Sequence, residues 1–533
     1  MNFWGTSQKI KPAFSRENKS MVSIAELLTD SFEKHNQKTA ISFLRGHEIE
    51  TQMTFSDLNL NSNKMVNLLL KQGVKKSDNI ILLLGKSLVF IVIYIALQKI
   101  GAVCVPLNPG FKKSELTYLL HDATPSLVII NPDQAGMIKE IDSNITCMEI
   151  DTKIPFQEIA FFKSCSDDLE KVNLGPDDPG LIIYTSGTTG DPKGAVLTQK
   201  NLVNDAKNII TIWEISDSDT LCHALPLFHV HGLCFALHTA LISGAHVVLL
   251  DKFSPETVID ILKENKADLA CSVFMGVPAM YSKLIDTLKN QTLCFDHMRL
   301  WTSGSAPLPV RDFQRIKQTF GKAPVEREGM SETGMNFSNP LHGEKKPGSI
   351  GLSLPGLKVR IVDPVTFLDK ESGQTGEFWL KSDSITPGYW NKPEETARAF
   401  EHGWFKTGDL GRKDQDGYYY LTDRLKNIII TGGENVSPNE VEAVINRLDE
   451  VVESSVVGIF DEKWGEKIVA AVVKTPASGD ISSAVKAICK EHLHDWKCPK
   501  EVIFIEKLPR NTMGKILKEN IKNYGCKTSP EDG

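Results

Sequence analysis

Short apolar runs alternate with segments of helical periodicity over about the first 320 residues, and this alternation constrains the fold most strongly. Strand–helix alternation of this kind is typical of mainly parallel sheets covered by helices. It continues too long for one sheet, so two related sheets are predicted. The predicted strands are Ile80–Leu84, Ala102–Pro106, Leu127–Ile130, Leu221–Leu225, His246–Leu250 and Leu269–Val273. The predicted helices are Leu88–Ile100, Ser114–His121, Leu233–Ile242, Ser254–Lys266, and one from an N-cap at Thr198 to about Trp213.

The pattern changes from about residue 350 toward turns and short strands. The last hundred or so residues predict a compact α+β unit of their own, with a boundary near Asp423–Lys426. A chain of 533 residues exceeds the usual size of one domain, so at least two cores are expected. The predicted elements of the last unit are helices Pro438–Arg447 and Ser483–His492 and strands Ser454–Phe460, Ile468–Val473 and Glu501–Ile505.

Residues 184–194 read YTSGTTGDPKG and carry the most explicit chemistry in the chain. Glycine enters positive φ without steric cost, so backbone N–H groups can turn toward one anion. Hydroxyl groups donate to phosphate oxygens or bind magnesium, and Lys193 adds a positive charge. The apolar run Gly180–Ile183 predicts a strand that leads into this loop. The loop is no Walker A motif, because Pro192 precedes the lysine and Gly194 follows it. A flexible surface turn is the alternative interpretation.

This loop resembles the phosphate loop of the adenylate-forming enzymes, which include acyl-CoA synthetases, luciferases and the adenylation domains of peptide synthetases. The resemblance implies an α/β N-terminal domain over residues 1–423, with parallel-rich sheets, helices and a small distorted barrel. It also implies a hinge at 424–427, a mobile α+β C-terminal domain at 428–524 and a tail at 525–533. The implied activity is AMP-forming acid:CoA ligation with ATP, Mg²⁺ and CoA.

Further residues match the family's motifs in chain order. Residues 326–333 resemble the adenine and magnesium motif, and residues 508–515 resemble the segment that carries the catalytic lysine. The implied catalytic residues are Lys515, Thr188, Glu332 and His229, with Glu332 and Thr188 also binding magnesium. The implied ATP and AMP contacts are Thr185, Ser186, Gly187, Thr189, Gly190, Lys193, Gly304, Ser305, Ala306, Pro307, Glu326, Arg327, Glu328, Gly329, Met330, Ser331, Asp409 and Arg424. Lys426 at the hinge and Gly432 and Gly433 beside it are implied to line the CoA path.

One residue departs from the family pattern. Glu328 stands where these enzymes usually carry an aromatic ring that stacks on adenine. A glutamate cannot stack, so this position puts nucleotide affinity or base preference in question. A nucleotide-binding protein without catalysis is the corresponding alternative.

The acid is predicted from resemblance and charge. The segments Pro226–Gly232 and Gly329–Pro340 most resemble malonyl-CoA synthetases, which implies malonate or methylmalonate. A dicarboxylic acid needs a cation for its second carboxylate, and arginine binds carboxylates bidentately. Arg299 is the candidate, with His231 second. A surface salt bridge is the alternative for Arg299, and a core histidine for His231. Ser303 and Met335 complete the predicted acyl site.

Other acceptors and acids stay open at this stage. A medium- or long-chain fatty acid–CoA ligase and a carrier-protein-loading adenylation enzyme are the alternatives. The formal net charge of −7 gives no support for nucleic-acid binding. The longest apolar run, Leu88–Leu97, is too short to cross a bilayer, and no signal peptide or peroxisomal address is recognisable. Scattered cysteines without a C-x-x-C pair fit a reducing compartment, so a cytoplasmic location is predicted. The sequence does not indicate the oligomeric state.

Overall fold

The structure is a computed structural model that describes residues 23–160, 162–185, 191–263, 269–289, 291–293, 295–510 and 514–526. The chain divides into two compact units. The first comprises Met1–Lys358 with Lys381–Phe405, and the second comprises Val359–Leu380 with Lys406–Gly533. Among the described residues, no helix is both long and apolar enough to span a membrane.

Two large sheets build the first unit. Their strands in chain order are β1 (Thr39–Arg45), β2 (Glu48–Thr54), β3 (Asn79–Leu83), β4 (Val103–Pro106), β5 (Leu127–Ile130), β6 (Cys147–Glu149), β7 (Pro179–Thr185), β8 (Lys193–Thr198), β9 (Thr220–His223), β10 (His246–Leu250), β11 (Val273–Gly276), β12 (Leu300–Ser303), β13 (Val325–Met330), β14 (Gly334–Ser338) and β15 (Leu352–Ser353). One sheet has six strands in the order β6-β5-β3-β4-β7-β8, parallel except at β7–β8. The other has nine, in the order β15-β14-β13-β12-β11-β9-β10-β1-β2, with antiparallel pairs only toward its two edges.

Helices cover these sheets. They are α1 (Ile24–Lys34), α2 (Phe55–Lys71), α3 (Leu88–Ile100), α4 (Lys113–Ala123), α5 (Ala135–Ile141), α6 (Gln199–Trp213), α7 (Thr239–Ser243), α8 (Pro255–Lys263), α9 (Pro278–Thr287) and α10 (Val310–Phe320). A π-helical segment, His231–His238, runs directly into α7. Short 3₁₀ turns lie at Pro132–Gln134, Phe156–Glu158, Leu425–Asn427 and Asp495–Lys497.

The sequence explains why the two best-defined helices begin and end where they do. Ser87 caps α3 by accepting a hydrogen bond from the Phe90 amide, and Gly101 ends the helix at φ 76°. Every residue of α3 is buried, as its apolar composition demands. Thr198 and Asn201 cap α6 reciprocally, each side chain bonding the other's backbone amide.

A third, five-stranded sheet follows the two large ones. It contains β16 (Lys358–Val362), β17 (Gly376–Lys381), β18 (Phe400–Glu401), β19 (Trp404–Lys413) and β20 (Tyr419–Arg424), and α11 (Pro393–Ala399) precedes β18. The order is β16-β17-β19-β18, and β20 also pairs with β19.

The last segment forms an α+β layer. Its elements are β21 (Ile429–Thr431), β22 (Glu434–Val436), α12 (Pro438–Ile445), β23 (Val451–Asp461), β24 (Gly465–Lys474), α13 (Ser482–His492), β25 (Glu501–Phe504) and α14 (Lys518–Cys526). One hydrophobic cluster joins this sheet to α12 and α13 through residues such as Val441 and Val485. A second cluster on alternate strand positions includes Ile521 of α14. Both faces of the sheet are therefore covered.

The predicted α/β fold class is confirmed. Helix Leu88–Ile100, strands Leu127–Ile130 and His246–Leu250 and the Thr198 cap match the structure to the residue. Strand Leu269–Val273 is wrong, because β11 begins only at Val273, where pairing with Leu300 of β12 starts. Helix Leu233–Ile242 is corrected as well, since most of it is π-helical and it begins earlier. The last residues of the predicted helix Ser254–Lys266 lie outside the described residues.

Candidate active site

The predicted site residues of the first unit gather where parallel strands of the nine-stranded sheet end. Strand β12 ends at Ser303, and β13 ends at Met330. In open α/β sheets, ligands bind beyond the carboxyl ends of the strands. The segments 303–307 and 326–332 therefore meet at the edge where a nucleotide site is expected.

Glu332 connects segments that the sequence predicts to bind phosphate. Its side chain is 8% exposed, and its Oε1 lies 3.3 Å from the Thr185 hydroxyl. The Tyr389 hydroxyl lies 3.2 Å from the same oxygen, and the Thr386 amide donates to the Glu332 carbonyl at 2.7 Å. Lys193 places its ammonium 5.5 Å from the centre of the Tyr389 ring. The structure thus brings Thr185, Glu332 and Lys193 together as predicted neighbours.

Tyr389 is the residue that sequence reasoning missed. Burial, with the adjacent Glu332, raises the pKa of its phenol above the ordinary value, so the hydroxyl stays protonated and donates to the carboxylate. The turn-rich stretch 386–391 carries no signal for this role by itself. Tyr389 lies 57 residues beyond Glu332 in the chain, and only the folded structure shows that their side chains meet.

The described residues contain no cluster of three or more His, Cys, Asp or Glu side chains that could hold a metal. A single carboxylate with neighbouring hydroxyls does fit Mg²⁺, which usually binds through one or two carboxylates together with substrate phosphates. Glu332 meets this requirement. Five predicted loop residues lie outside the described residues: Ser186, Gly187, Thr188, Thr189 and Gly190.

Gly304 and Arg327 form the second part of the site. A Cβ atom on Gly304 would lie 2.5 Å from the Arg327 Nε, so only glycine admits the guanidinium at this point. Arg327 is 3% exposed, and its guanidinium carbon sits 5.0 Å from the centre of the Phe235 ring. Its terminal nitrogen lies 3.5 Å from the Ser305 hydroxyl, while its Nε has no hydrogen-bond partner.

The charge of Arg327 is poorly balanced by the protein. Burial lowers its pKa to about 10, although Glu328 and Asp205 oppose this effect. Burial also raises the pKa of the Asp205 carboxyl to about 7, so Asp205 is a weak counter-charge near neutral pH. Among the described residues, no carboxylate forms an ion pair with Arg327. A buried cation without a paired anion is costly, which makes this position a natural anion site.

Two predicted histidines line the same region. His231 is 1% exposed, its Nδ1 lies 3.2 Å from the Ser305 hydroxyl, and its Nε2 has no partner. Burial, with the nearby Arg327, lowers its pKa well below the ordinary value. Burial lowers the pKa of His229 to about 4, and its Nε2 is also unpartnered. Both rings are neutral at pH 7, so they offer hydrogen bonds rather than charge.

The other predicted residues of these strands are held mainly by the protein. Burial raises the pKa of Glu326 to about 8, and its Oε1 accepts from the Leu308 amide at 3.3 Å. Glu328 accepts from the Asn336 side-chain amide at 3.1 Å. Met335 is buried, and its backbone amide donates to Asp205 at 2.8 Å. Gly329, Met330 and Ser331 lie at the end of β13 and just beyond it, and Ala306 and Pro307 follow Ser305, whose φ is 67°.

Arg299 is not part of this arrangement, which corrects its predicted role. Its guanidinium pairs with both carboxylate oxygens of Asp219 at 2.6 Å, and it also donates to the carbonyls of Trp213 and Glu214. Arg299 precedes the amino end of β12, whereas Ser303 ends that strand. They are separated by roughly 13 Å of strand at about 3.3 Å per residue. Ser303 itself is buried with an unpartnered hydroxyl at the site edge.

The second unit carries the remaining predicted residues. Asp409 on β19 is 4% exposed, and its Oδ1 lies 2.8 Å from the Arg424 Nε on β20. Burial raises the pKa of Asp409, although Arg424 and Lys515 counteract it, so Lys515 acts on this carboxyl electrostatically. Burial, with Arg424, lowers the pKa of Lys426. Gly432 and Gly433 form the β21–β22 turn at φ 60° and 86°, where other residues would be strained.

Comparison with known proteins gives consistent results over the whole chain. Residues 28–390 match the family described as AMP-binding enzyme, and residues 440–515 match its C-terminal domain. A malonate–CoA ligase of Arabidopsis thaliana is 33% identical over 452 residues, covering 79% of this chain and 74% of its own. A long-chain-fatty-acid–CoA ligase of Mycobacterium tuberculosis is 33% identical over 491 residues, covering 90% and 95%. The crystal structure of ATP-bound MatB from Rhodopseudomonas palustris matches with a TM-score of 0.88 at 33% identity, covering 94% and 99%.

Proposed function

Because this chain belongs to the AMP-binding enzyme family and is an AMP-forming acyl-CoA ligase, we propose that its substrate is a short dicarboxylic acid, malonate or methylmalonate. Relatives of equal identity act on malonate and on long-chain fatty acids, so overall similarity does not separate these substrates. The residues of the acyl region must therefore carry the distinction.

The observation that carries the proposal is the buried Arg327. Its guanidinium lacks an ion pair among the described residues, and its Nε points to no acceptor. A fatty acid's alkyl chain beside it would leave this cation uncompensated, at a cost of several kcal/mol. The second carboxylate of a dicarboxylic acid supplies the missing charge and accepts the free donor. In this proposal Arg327, which the resemblance places among the ATP and AMP contacts, instead takes the role that the sequence assigns to Arg299.

Neighbouring polar groups support a carboxylate at this place. The Ser305 hydroxyl lies within reach of both Arg327 and His231. The Nε2 of His231 has no hydrogen-bond partner among the described residues, and neither has the hydroxyl of Ser303. Buried polar atoms usually have hydrogen-bond partners in folded proteins, and these atoms can bond the oxygens of a carboxylate.

The proposed chemistry has two steps. In the first, an oxygen of the reacting carboxylate bonds to the α-phosphorus of ATP, the bond to the bridging oxygen breaks, and pyrophosphate leaves. In the second, the CoA thiolate bonds to the acyl carbon, the bond to the AMP oxygen breaks, and AMP leaves. Developing phosphate charge requires cations, a role we assign to Lys193 and Lys515. Mg²⁺ at Glu332 would add further charge neutralisation.

We further propose that Asp409 holds the ribose hydroxyls and that residues 424–427 act as the hinge between residues 1–423 and 428–524. A carboxylate that accepts two hydroxyls is the expected reader of a ribose. We also propose, from the family resemblance, that Lys426, Gly432 and Gly433 border the CoA path. We also propose that the protein is located in the cytoplasm.

The test is pyrophosphate release measured with malonate, methylmalonate, oxalate, acetate, octanoate and palmitate, each with and without CoA. We expect malonate or methylmalonate to give the highest kcat/KM, with an acyl-CoA product only when CoA is present. Turnover of palmitate without turnover of malonate would refute the dicarboxylate assignment. Release that depends on the acid but yields no acyl-CoA would indicate a carrier-protein acceptor instead.

A further inference from the structure

Helix α4 touches the ends of the phosphate-binding strands from the outside. The Tyr118 hydroxyl donates to the Pro192 carbonyl at 2.9 Å, next to Lys193. Asp122, four residues further along the same helix face, accepts from the Tyr184 hydroxyl at 2.7 Å, next to Thr185. One helix therefore holds the end of β7 and the beginning of β8.

The same aspartate holds a third segment. Its Oδ1 lies 3.1 Å from the Lys392 ammonium, and its backbone carbonyl accepts from the Asn391 side chain at 3.2 Å. The Trp390 amide also donates to the Gly194 carbonyl at 2.8 Å. The chain from Gly388 to Lys392 is thereby fixed against β8.

Both branches of this network lead to Glu332. Thr185 follows Tyr184 directly, and Tyr389 lies three residues before Lys392. Among the described residues, the hydroxyls of Thr185 and Tyr389 contact Glu332 Oε1. A shift of either branch would therefore move a hydroxyl away from the carboxylate.

The contacts of Asp122 are strong ones. Its side chain is 7% exposed, and it joins one neutral donor and one cationic donor on separate oxygens. The hydrogen bond that Lys392 donates to Asp122 raises the pKa of Lys392, and burial, with Asp122, raises the pKa of Tyr184. Both partners therefore remain protonated donors at neutral pH. Charge-assisted hydrogen bonds in a shielded place hold geometry better than exposed ion pairs.

We propose that Asp122 is a positioning residue for adenylation, which fixes Thr185, Lys193 and Tyr389 around the magnesium and phosphate position at Glu332. The proposal rests on the adenylating activity proposed above. Asp122 contacts neither the acid nor the nucleotide in this assignment, so its effect should appear in ATP binding and in the adenylation step alone.

The experiment compares Asp122→Ala and Asp122→Asn with wild type. ATP is varied in acid-dependent pyrophosphate exchange, and thioester formation is measured separately from supplied acyl-adenylate and CoA. We expect Asp122→Ala to raise the KM for ATP by about tenfold or more, as for loss of a shielded charge-assisted bond. Thioester formation should change by less than about twofold, which a general structural defect would not spare. Asp122→Asn keeps an acceptor for Tyr184 and should recover part of the loss.

The matched control is Glu140→Ala, which removes the exposed ion pair between Lys113 of α4 and Glu140. It should leave both half-reactions unchanged. An unchanged KM for ATP in Asp122→Ala, or equal losses in both half-reactions, would overturn the proposal. If Asp122→Ala does not fold, Tyr184→Phe removes only the first bond and must then raise the KM for ATP.

Failure of the proposed function is distinguishable from failure of this inference. If none of the tested acids supports pyrophosphate exchange by the wild-type protein, the proposed function is refuted. Calorimetric titration with ATP and Mg²⁺ still decides the role of Asp122 in that case. Weaker ATP binding in Asp122→Ala supports it, and equal affinity refutes it.

Discussion

Replacing Arg327 by glutamine should change which acids the enzyme accepts. The substitution removes the charge while keeping a polar side chain of moderate length next to Ser305 and Phe235. If the guanidinium binds the second carboxylate, malonate loses its counter-charge, whereas acetate has no group at this position. The variant should therefore lose malonate activity selectively.

The magnitude follows from the burial of the guanidinium. Its pKa falls to about 10 from the ordinary 12.5, which corresponds to about 3 kcal/mol of net destabilisation of the charged form at 1.36 kcal/mol per pKa unit, after the opposing effects of Glu328 and Asp205. If a bound carboxylate offsets most of this energy, kcat/KM for malonate is about 100-fold higher in the wild type than in the uncharged variant, at 1.4 kcal/mol per tenfold. We therefore expect kcat/KM for malonate to fall about 100-fold and that for acetate to fall less than about fivefold.

The assay is acid-dependent pyrophosphate release at saturating ATP, with Arg299→Gln as the matched control. Arg299 belongs to a structural ion pair with Asp219, so its loss should lower thermal stability and affect both acids alike. An equal loss for malonate and acetate in Arg327→Gln, or a selective malonate loss in Arg299→Gln, would refute the reasoning.

Three further outcomes are expected. Lys515→Ala should abolish adenylation while thioester formation from supplied acyl-adenylate largely survives; equal damage to both half-reactions would contradict the proposal that Lys515 stabilises the phosphate charge that develops in the first step. Tyr389→Phe removes the hydroxyl that holds Glu332 and should raise the KM for magnesium-bound ATP by about threefold to tenfold, without lowering the melting temperature much. Glu326 has a folded pKa of about 8, well above its unfolded value near 4.5, so the folded state binds the extra proton and loses stability as pH rises toward 8. The melting temperature of Glu326→Gln should accordingly fall less than that of wild type between pH 6 and pH 9, and parallel curves would contradict this.

Local signals explain which elements are predictable from the sequence. Helix α3 carries its own start at Ser87 and its own end at Gly101, so its bounds need no knowledge of neighbours. Strand β11 lacks such signals. Its start at Val273 is set by pairing with Leu300, which an apolar run alone does not reveal. The π-helical turn after His231 is similarly invisible, because its apolar residues fit an ordinary helix equally well.

The candidate site divides in the same way. Motif order predicts Glu332, Lys193 and Asp409 as site residues, and for Asp409 only its place in that order carries the prediction. Arg299 shows the limit of sequence proximity. It precedes Ser303 by only four residues, yet the two lie at opposite ends of strand β12. Tyr389 shows the converse, because a distant residue returns to the site only through long-range pairing with β8.

The close approach of Gly304 to Arg327 has a consequence for how acids are told apart. The guanidinium lies between Gly304, the residue after β12, and the Phe235 ring of the π-helical segment. If the guanidinium binds the second carboxylate as proposed, these contacts restrict how far it can move from the reacting carboxylate. The site would then select acids by length. A diacid whose two carboxylates match this distance is bound at both ends, whereas a longer homologue must bend or leave one carboxylate unbound. We expect activity along the series oxalate, malonate, succinate and glutarate to peak sharply at one length. A Gly304→Ala change should abolish that peak, because the added methyl group would displace the Arg327 guanidinium.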